Sequence, residues 1–222
     1  MTPLRIDYIS DIACPWCAVG LASLQQALAN LNDEVRAEWV MHPFELNPQM
    51  GPEGQNIVEY LGNKYGRTPA QIAETQAVIR ERGASVGFAF GERKFVYNTF
   101  DAHRLLQWAG ERDKQQGEQP GKQLALEEAL MQAYHGNGND VSDHDVLVEA
   151  ARSVGLDAQE ARRILQSDDY ADAVRADEQE TQAMGIHSVP AIIFNRRYLV
   201  SGGQPVEAFE QALRQILAEE KA

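Results

Sequence analysis

The amino-acid sequence predicts an α/β protein whose strand segments lie at the two ends of the chain, with a large all-helical insertion between the second and third strands. Three observations carry this. Residues 4–9, Leu-Arg-Ile-Asp-Tyr-Ile, alternate apolar and polar side chains, the period of a half-buried strand. Near the other end, Ala191-Ile192-Ile193-Phe194 and Tyr198-Leu199-Val200-Ser201 are β-prone runs, with Arg196-Arg197 placed for a tight turn between them. From about 55 to 185 the signals are helical. Because an isolated pair of strands is marginal in water, the end segments are expected to form one sheet.

The elements follow in order. After the first strand comes Cys14-Pro15-Trp16-Cys17, then Leu21, Leu24, Leu28 and Leu31, whose spacing puts them on one helical face. Pro15 suits the first turn of that helix, where its missing N–H is not needed. Residues 35–42 read as the second strand, ended by Pro43 and Asn47-Pro48, and 48–56 as a connection. Thr68-Pro69-Ala70-Gln71 starts a helix with a Thr cap, Pro at N1 and Gln at N3. Leu126, Ala129, Leu130, Ala133 and Tyr134 form an apolar helical face, and Gly136-Asn137-Gly138-Asn139 breaks the pattern. Ser142-Asp143-His144-Asp145 and Asp157-Ala158-Gln159-Glu160 open two further helices, and Val206, Phe209, Leu213, Ile216 and Leu217 stripe a last one. The expected division is a discontinuous domain of residues 1–50 and 186–222 around a helical domain of residues 51–185.

Composition narrows the function. The chain has 222 residues, 44% of them hydrophobic, and a formal net charge of −13. So acidic a chain repels phosphate backbones and anionic lipid, so nucleic acid and membrane are not expected partners. Arg5, Asp7 and Asp11 interrupt the N-terminal region where a secretory signal would be apolar, and no apolar run is long enough for a membrane span. A cytoplasmic location is the expectation.

The two cysteines, Cys14 and Cys17, are the whole supply. A disulfide over so short a loop removes little unfolded-state entropy, which leaves chemistry or metal. Structural zinc needs four ligands, and the histidines at 42, 103, 135, 144 and 187 are scattered, so no metal is expected. Cys14 stands just before a helix, where free N–H groups and the dipole favour a thiolate. Cys17 is one turn further along the same face. The expected chemistry is thiol–disulfide exchange, with Cys14 as exposed nucleophile and Cys17 as shielded resolving thiol.

The motifs resemble the DsbA branch of the thioredoxin superfamily, most closely its FrnE-type oxidoreductases. The segments that carry the resemblance are residues 10–20 around the CPWC, Pro43-Phe44-Glu45-Leu46-Asn47-Pro48, Asn98-Thr99-Phe100-Asp101-Ala102-His103-Arg104-Leu105, Gly185-Ile186-His187-Ser188-Val189-Pro190, and Val200-Ser201-Gly202-Gly203-Gln204-Pro205. The resemblance implies a thioredoxin-like fold and a cis Val189-Pro190 peptide packed beside the CxxC. It also implies an active site shaped by Pro15, Trp16, Val189 and Pro190, and a substrate groove that His103 and Arg104 could line. The expected partners are protein thiols and disulfides; no cofactor is implied beyond the redox-active Cys14–Cys17 pair, recycled by glutathione or a thioredoxin system. Trp16 stands where exported relatives carry His, so a less depressed Cys14 pKa and a less oxidising couple are expected. The similar 2-hydroxychromene-2-carboxylate isomerases and kappa-class glutathione transferases typically carry Ser at the position of Cys14, which makes a glutathione-dependent isomerase or transferase the alternative. A binding module or holdase using the helical block would work without either thiol. His42 and His187 are expected in structural hydrogen bonds. Glu38, Glu45, Asp168-Asp169 and Asp177-Glu178 are expected to be solvated.

Overall fold

The computed structural model describes residues 2–31, 34–117 and 121–220. Strand β1 (Thr2–Ser10) leads to helix α1 (Pro15–Asn30) and strand β2 (Val35–Pro43). A two-residue ribbon pairs β3 (Gln55–Asn56) with β4 (Phe95–Val96), enclosing helices α2 (Ile57–Tyr65) and α3 (Pro69–Ser85). Then come α4 (Phe100–Gln116), α5 (Lys122–Met131), α6 (His144–Ser153), α7 (Ala158–Leu165) and α8 (Ala171–Ala183). The chain closes with β5 (Ala191–Phe194), β6 (Tyr198–Ser201) and α9 (Val206–Glu219). One four-stranded sheet runs β2-β1-β5-β6, with β1 parallel to β2 and the other pairs antiparallel. The end segments therefore do share a sheet, as expected, and helices α2 to α8 fall between β2 and β5; the insertion also carries the short β3–β4 ribbon, which the helical pattern did not indicate.

The alternation in β1 has a direct outcome. Leu4, Ile6 and Tyr8 are fully buried and join Leu21 and Leu24 of α1 and Phe209 and Leu213 of α9 in one core. The opposite face of β1 is buried too, but around charge. Asp7 accepts hydrogen bonds from Arg5 and meets His42 of β2, whose other ring nitrogen bonds Asp177 of α8. Asp177 and Glu178 are thus not solvated, contrary to expectation: α8 lies against the sheet and turns them inward. Glu45 is a second correction, for its side chain is buried and ion-paired with Arg175 of α8.

The free edge of β2 is met at Met41 by a helix side chain. Gln123 of α5 accepts from the Met41 N–H at 3.1 Å and donates to the Met41 carbonyl at 3.2 Å. At this residue the amide stands in for a neighbouring strand on the sheet's edge and anchors the helical block to the sheet. The helix starts read from sequence are present. Thr68 and Gln71 form a reciprocal capping box, Asp157 caps α7 and Asp143 caps α6. The break at Gly136 is preceded by a π-helical turn, Gln132–Gly136, which the sequence pattern did not indicate.

Candidate active site

Cys14 is the N-cap residue of α1 and Pro15 its first residue, so the CxxC straddles the helix entrance. Two glycines let this entrance approach the end of the chain. A Cβ on Gly20 would stand 3.1 Å from Gly203 Cα and 3.2 Å from Pro190 Cγ, and one on Gly203 would meet the Trp16 carbonyl at 2.7 Å. The Gly202 N–H donates to the Pro190 carbonyl at 2.8 Å. Val189-Pro190 is a cis peptide, and the Val189 carbonyl oxygen lies 3.8 Å from Cys14 Sγ.

The two sulfurs differ in environment. Cys17 is fully buried and Cys14 is 5% exposed, so the expected exposed nucleophile is in fact recessed. It edges the floor of a cleft of about 460 Å³, with Pro15, Trp16 and Val189 beside it and helices α2 and α3 opposite. The Cys17 thiol donates to Cys14 and holds its pKa below the ordinary thiol value against the opposing effect of burial. The N–H groups of Trp16 and Cys17 add to this, without a capping bond of ordinary geometry. Burial pushes the Cys17 thiol well up, and the neighbouring Cys14 reinforces it. The pair is polarised in the direction that sequential exchange uses: Cys14 is the more acidic thiol and Cys17 the less acidic one.

Below the CxxC sits a buried polar cluster that sequence reasoning missed. Asp11 is fully buried. It accepts from the Ala13 N–H at 2.9 Å, the Thr99 hydroxyl at 2.8 Å and the Leu46 N–H at 2.7 Å. One carboxylate therefore ties the CxxC turn, the loop after β2 and the start of α4. The buried Glu127 of α5 accepts from the Ser10 hydroxyl at 2.6 Å, and burial raises its pKa to about 7. His135, on the π-helical turn, is buried against the backbone of Ile12 and Cys14. Burial and the charge of Arg93 hold it neutral, with a pKa well below that of an ordinary histidine. Only adjacency to the CxxC marked Asp11 in the sequence; Glu127 and His135 carried no signal.

His103 and Arg104 do not line the cleft, which corrects the expectation for them. Both are buried, on the inward face of α4. His103 Nε2 is 3.7 Å from Asp11, and the facing carboxylates of Asp11, Glu127 and Glu45 outweigh burial and raise its pKa. Arg104 is consumed by Asp101 and by the carbonyls of Ile164, Ser167 and Asp169. Among the described residues no three His, Cys, Asp or Glu side chains gather in a metal-holding arrangement.

A strand–CxxC–helix entrance meeting a cis-proline loop is matched by one family model across nearly the whole chain: the DSBA-like thioredoxin domain, over residues 5–214. The chain belongs to the DsbA-like thioredoxin family. Within that family's range, the crystal structure of the probable DsbA oxidoreductase SCO1869 from Streptomyces coelicolor is 38% identical. It superposes with a TM-score of 0.87 over 97% of this chain and 91% of that one. The uncharacterized protein YwbO of Bacillus subtilis (strain 168) is 24% identical over 95% of this chain and 96% of its own. The cytosolic disulfide reductase DsbM from Pseudomonas aeruginosa, solved with GSH, is 16% identical with a TM-score of 0.64, over 96% of this chain and 99% of that one; it shares the fold. Among the described residues of this DsbA-like chain, no helix is long and apolar enough to cross a membrane.

Proposed function

We propose that this DsbA-like protein is a cytoplasmic thiol–disulfide oxidoreductase and isomerase acting on protein substrates through its CPWC motif. The observation that carries the reading is the asymmetry of the two sulfurs: Cys14 at the edge of a cleft with its pKa lowered, backed by a fully buried Cys17 with its pKa raised. Cys14 thiolate attacks a substrate disulfide, forming a mixed disulfide and releasing one substrate thiolate. Cys17 then attacks Cys14 Sγ, closing the Cys14–Cys17 disulfide, and its proton passes to the second leaving thiolate. A substrate chain lying along the Val189–Pro190 backbone would present its sulfur to Cys14, as the FrnE-type resemblance implies. In a reducing cytosol much of the pair would stay reduced, which favours reductase or isomerase work over oxidation. Glutathione or a thioredoxin system would regenerate the dithiol. No observation favours the glutathione-dependent isomerase alternative, because both thiols are in place and oppositely tuned.

The test measures insulin reduction and reoxidation of a reduced test protein for wild type, Cys14→Ser and Cys17→Ser. Cys14→Ser is expected to lose both activities, and Cys17→Ser to accumulate the mixed disulfide. Retention of either activity without Cys14 would refute the proposal.

A further inference from the structure

We infer that the cleft beside Cys14 selects small disulfides and thiols by charge, taking those that carry carboxylates over neutral or cationic ones. The inference rests on the reading of Cys14 as the attacking sulfur and adds the chemical class of its small-molecule partner.

The charge of the cleft runs against that of the chain. Asp and Glu outnumber Lys and Arg by 33 to 20, yet Lys64, Arg67 and Arg93 line the cleft and no carboxylate does. At the chain's frequency of 33 acids in 222 residues, nineteen lining residues would include about three. Elsewhere, Arg5, Arg36, Arg152, Arg162 and Arg163 each pair with a carboxylate. Among the described residues none of the three cleft cations has such a partner.

Their placement is specific. Lys64 Nζ donates to the Leu46 carbonyl at 2.9 Å, Asn47 Oδ1 at 2.7 Å and the Tyr60 hydroxyl at 2.7 Å, so its charge is held in position by neutral groups and left uncompensated. The Arg93 guanidinium lies over the Tyr134 ring, 5.1 Å from its centre. Arg67 follows Gly66, the left-handed residue that ends α2, and is exposed. The groups that chiefly set the Cys14 thiol are Cys17, the local backbone and Asp11. The three cations thus face the space a ligand would fill more than the sulfur itself. A volume of about 460 Å³ falls within the range of small-ligand sites. Clustered like charges lining a cleft concentrate oppositely charged reactants and raise their on-rates.

The reaction is balanced as dithiol plus RSSR giving the Cys14–Cys17 disulfide plus two RSH, and its reverse recycles the protein. The experiment measures the rate at which the reduced protein reacts with glutathione disulfide, neutral hydroxyethyl disulfide and cationic cystamine. Each rate is divided by that of the same disulfide with dithiothreitol, which removes intrinsic reactivity. At low ionic strength the anionic disulfide is expected to lead cystamine by about tenfold, the lower end of electrostatic steering. The lead should shrink as salt shortens the screening length to about 8 Å, and shrink again in Arg67→Glu and Arg93→Gln. Equal normalised rates, or a preference that neither salt nor Arg67→Glu alters, would overturn the inference while leaving exchange intact. Failure of even the neutral disulfide to react would overturn exchange at Cys14 and the inference with it.

Discussion

Replacing Asp11 tests the buried framework of the site. Its carboxylate accepts three hydrogen bonds from three separate segments, at 2.9, 2.8 and 2.7 Å. Bonds to a charged acceptor contribute about 1.5–3 kcal/mol each, and each buried donor left unpaired costs about 1–3 kcal/mol. Asp11→Ala orphans the Ala13 and Leu46 N–H groups and the Thr99 hydroxyl. Relief of the carboxylate's own desolvation offsets part of that, and breaking a buried charged arrangement typically costs about 3–5 kcal/mol net. Against a total stability of about 5–15 kcal/mol, such a loss is severe. Asp11→Asn keeps the shape and one acceptor but turns an NH₂ toward a donor, so a smaller loss of about 1–3 kcal/mol is expected. The same change has a chemical signature: the Asp11 charge pushes the Cys14 pKa up, so Asp11→Asn should lower it. Urea unfolding at constant m-value gives the first quantity, and thiolate ultraviolet absorbance against pH gives the second. A loss below about 1 kcal/mol in Asp11→Ala, the size of an average substitution, would refute the framework role. A Cys14 pKa that rises in Asp11→Asn would refute the electrostatic one.

Two further expectations concern pH. Burial opposes charge on His42, but Asp177 and Asp7 overcome it and hold its pKa at about 9 against 6.5. The stability this gives is complete below pH 6.5 and is lost as pH rises through 9, on the order of 3 kcal/mol in all; His42→Leu should flatten the alkaline limb of a urea-midpoint profile. Burial raises Glu127 to about 7 from 4.5, so its neutral form suits the fold and stability falls as pH climbs through 7, again by about 3 kcal/mol. Glu127→Gln keeps an oxygen for Ser10 and should be more stable than wild type at pH 8 but not at pH 4; a midpoint unchanged at pH 8 would show that Glu127 is not strained by ionisation.

The starts of α1, α3, α6 and α7 and the four strands of the sheet were legible in the sequence because each rests on local rules. The Thr68–Gln71 box needs four residues, the alternation from Leu4 to Ile9 needs six, and the CxxC is recognisable by its place before a helix. The corrections all concern side chains whose fate depends on distant elements. His103 and Arg104 are expected in a groove only through the family resemblance; α4 turns them inward, where Asp11 and the backbone after α7 take them up. Glu45, Asp177 and Glu178 read as solvated because nothing nearby in sequence hints at α8 crossing the sheet. Asp11 passed as a residue that merely interrupts an apolar stretch, since its three donors lie 2, 35 and 88 positions away.

The sequence by itself determined the class of fold, the order of the four sheet strands and which two sulfurs are the candidates for exchange, because secondary-structure period and helix-terminus electrostatics act over a few residues. Tertiary structure alone decided how deep Cys14 lies, which carboxylates are buried beneath it, and that three cations from α2, the loop after it and the segment before β4 converge on one cleft. Burial and charge clustering are properties of packed surfaces, and residues far apart in the chain come to share a surface only when the helical block closes on the sheet.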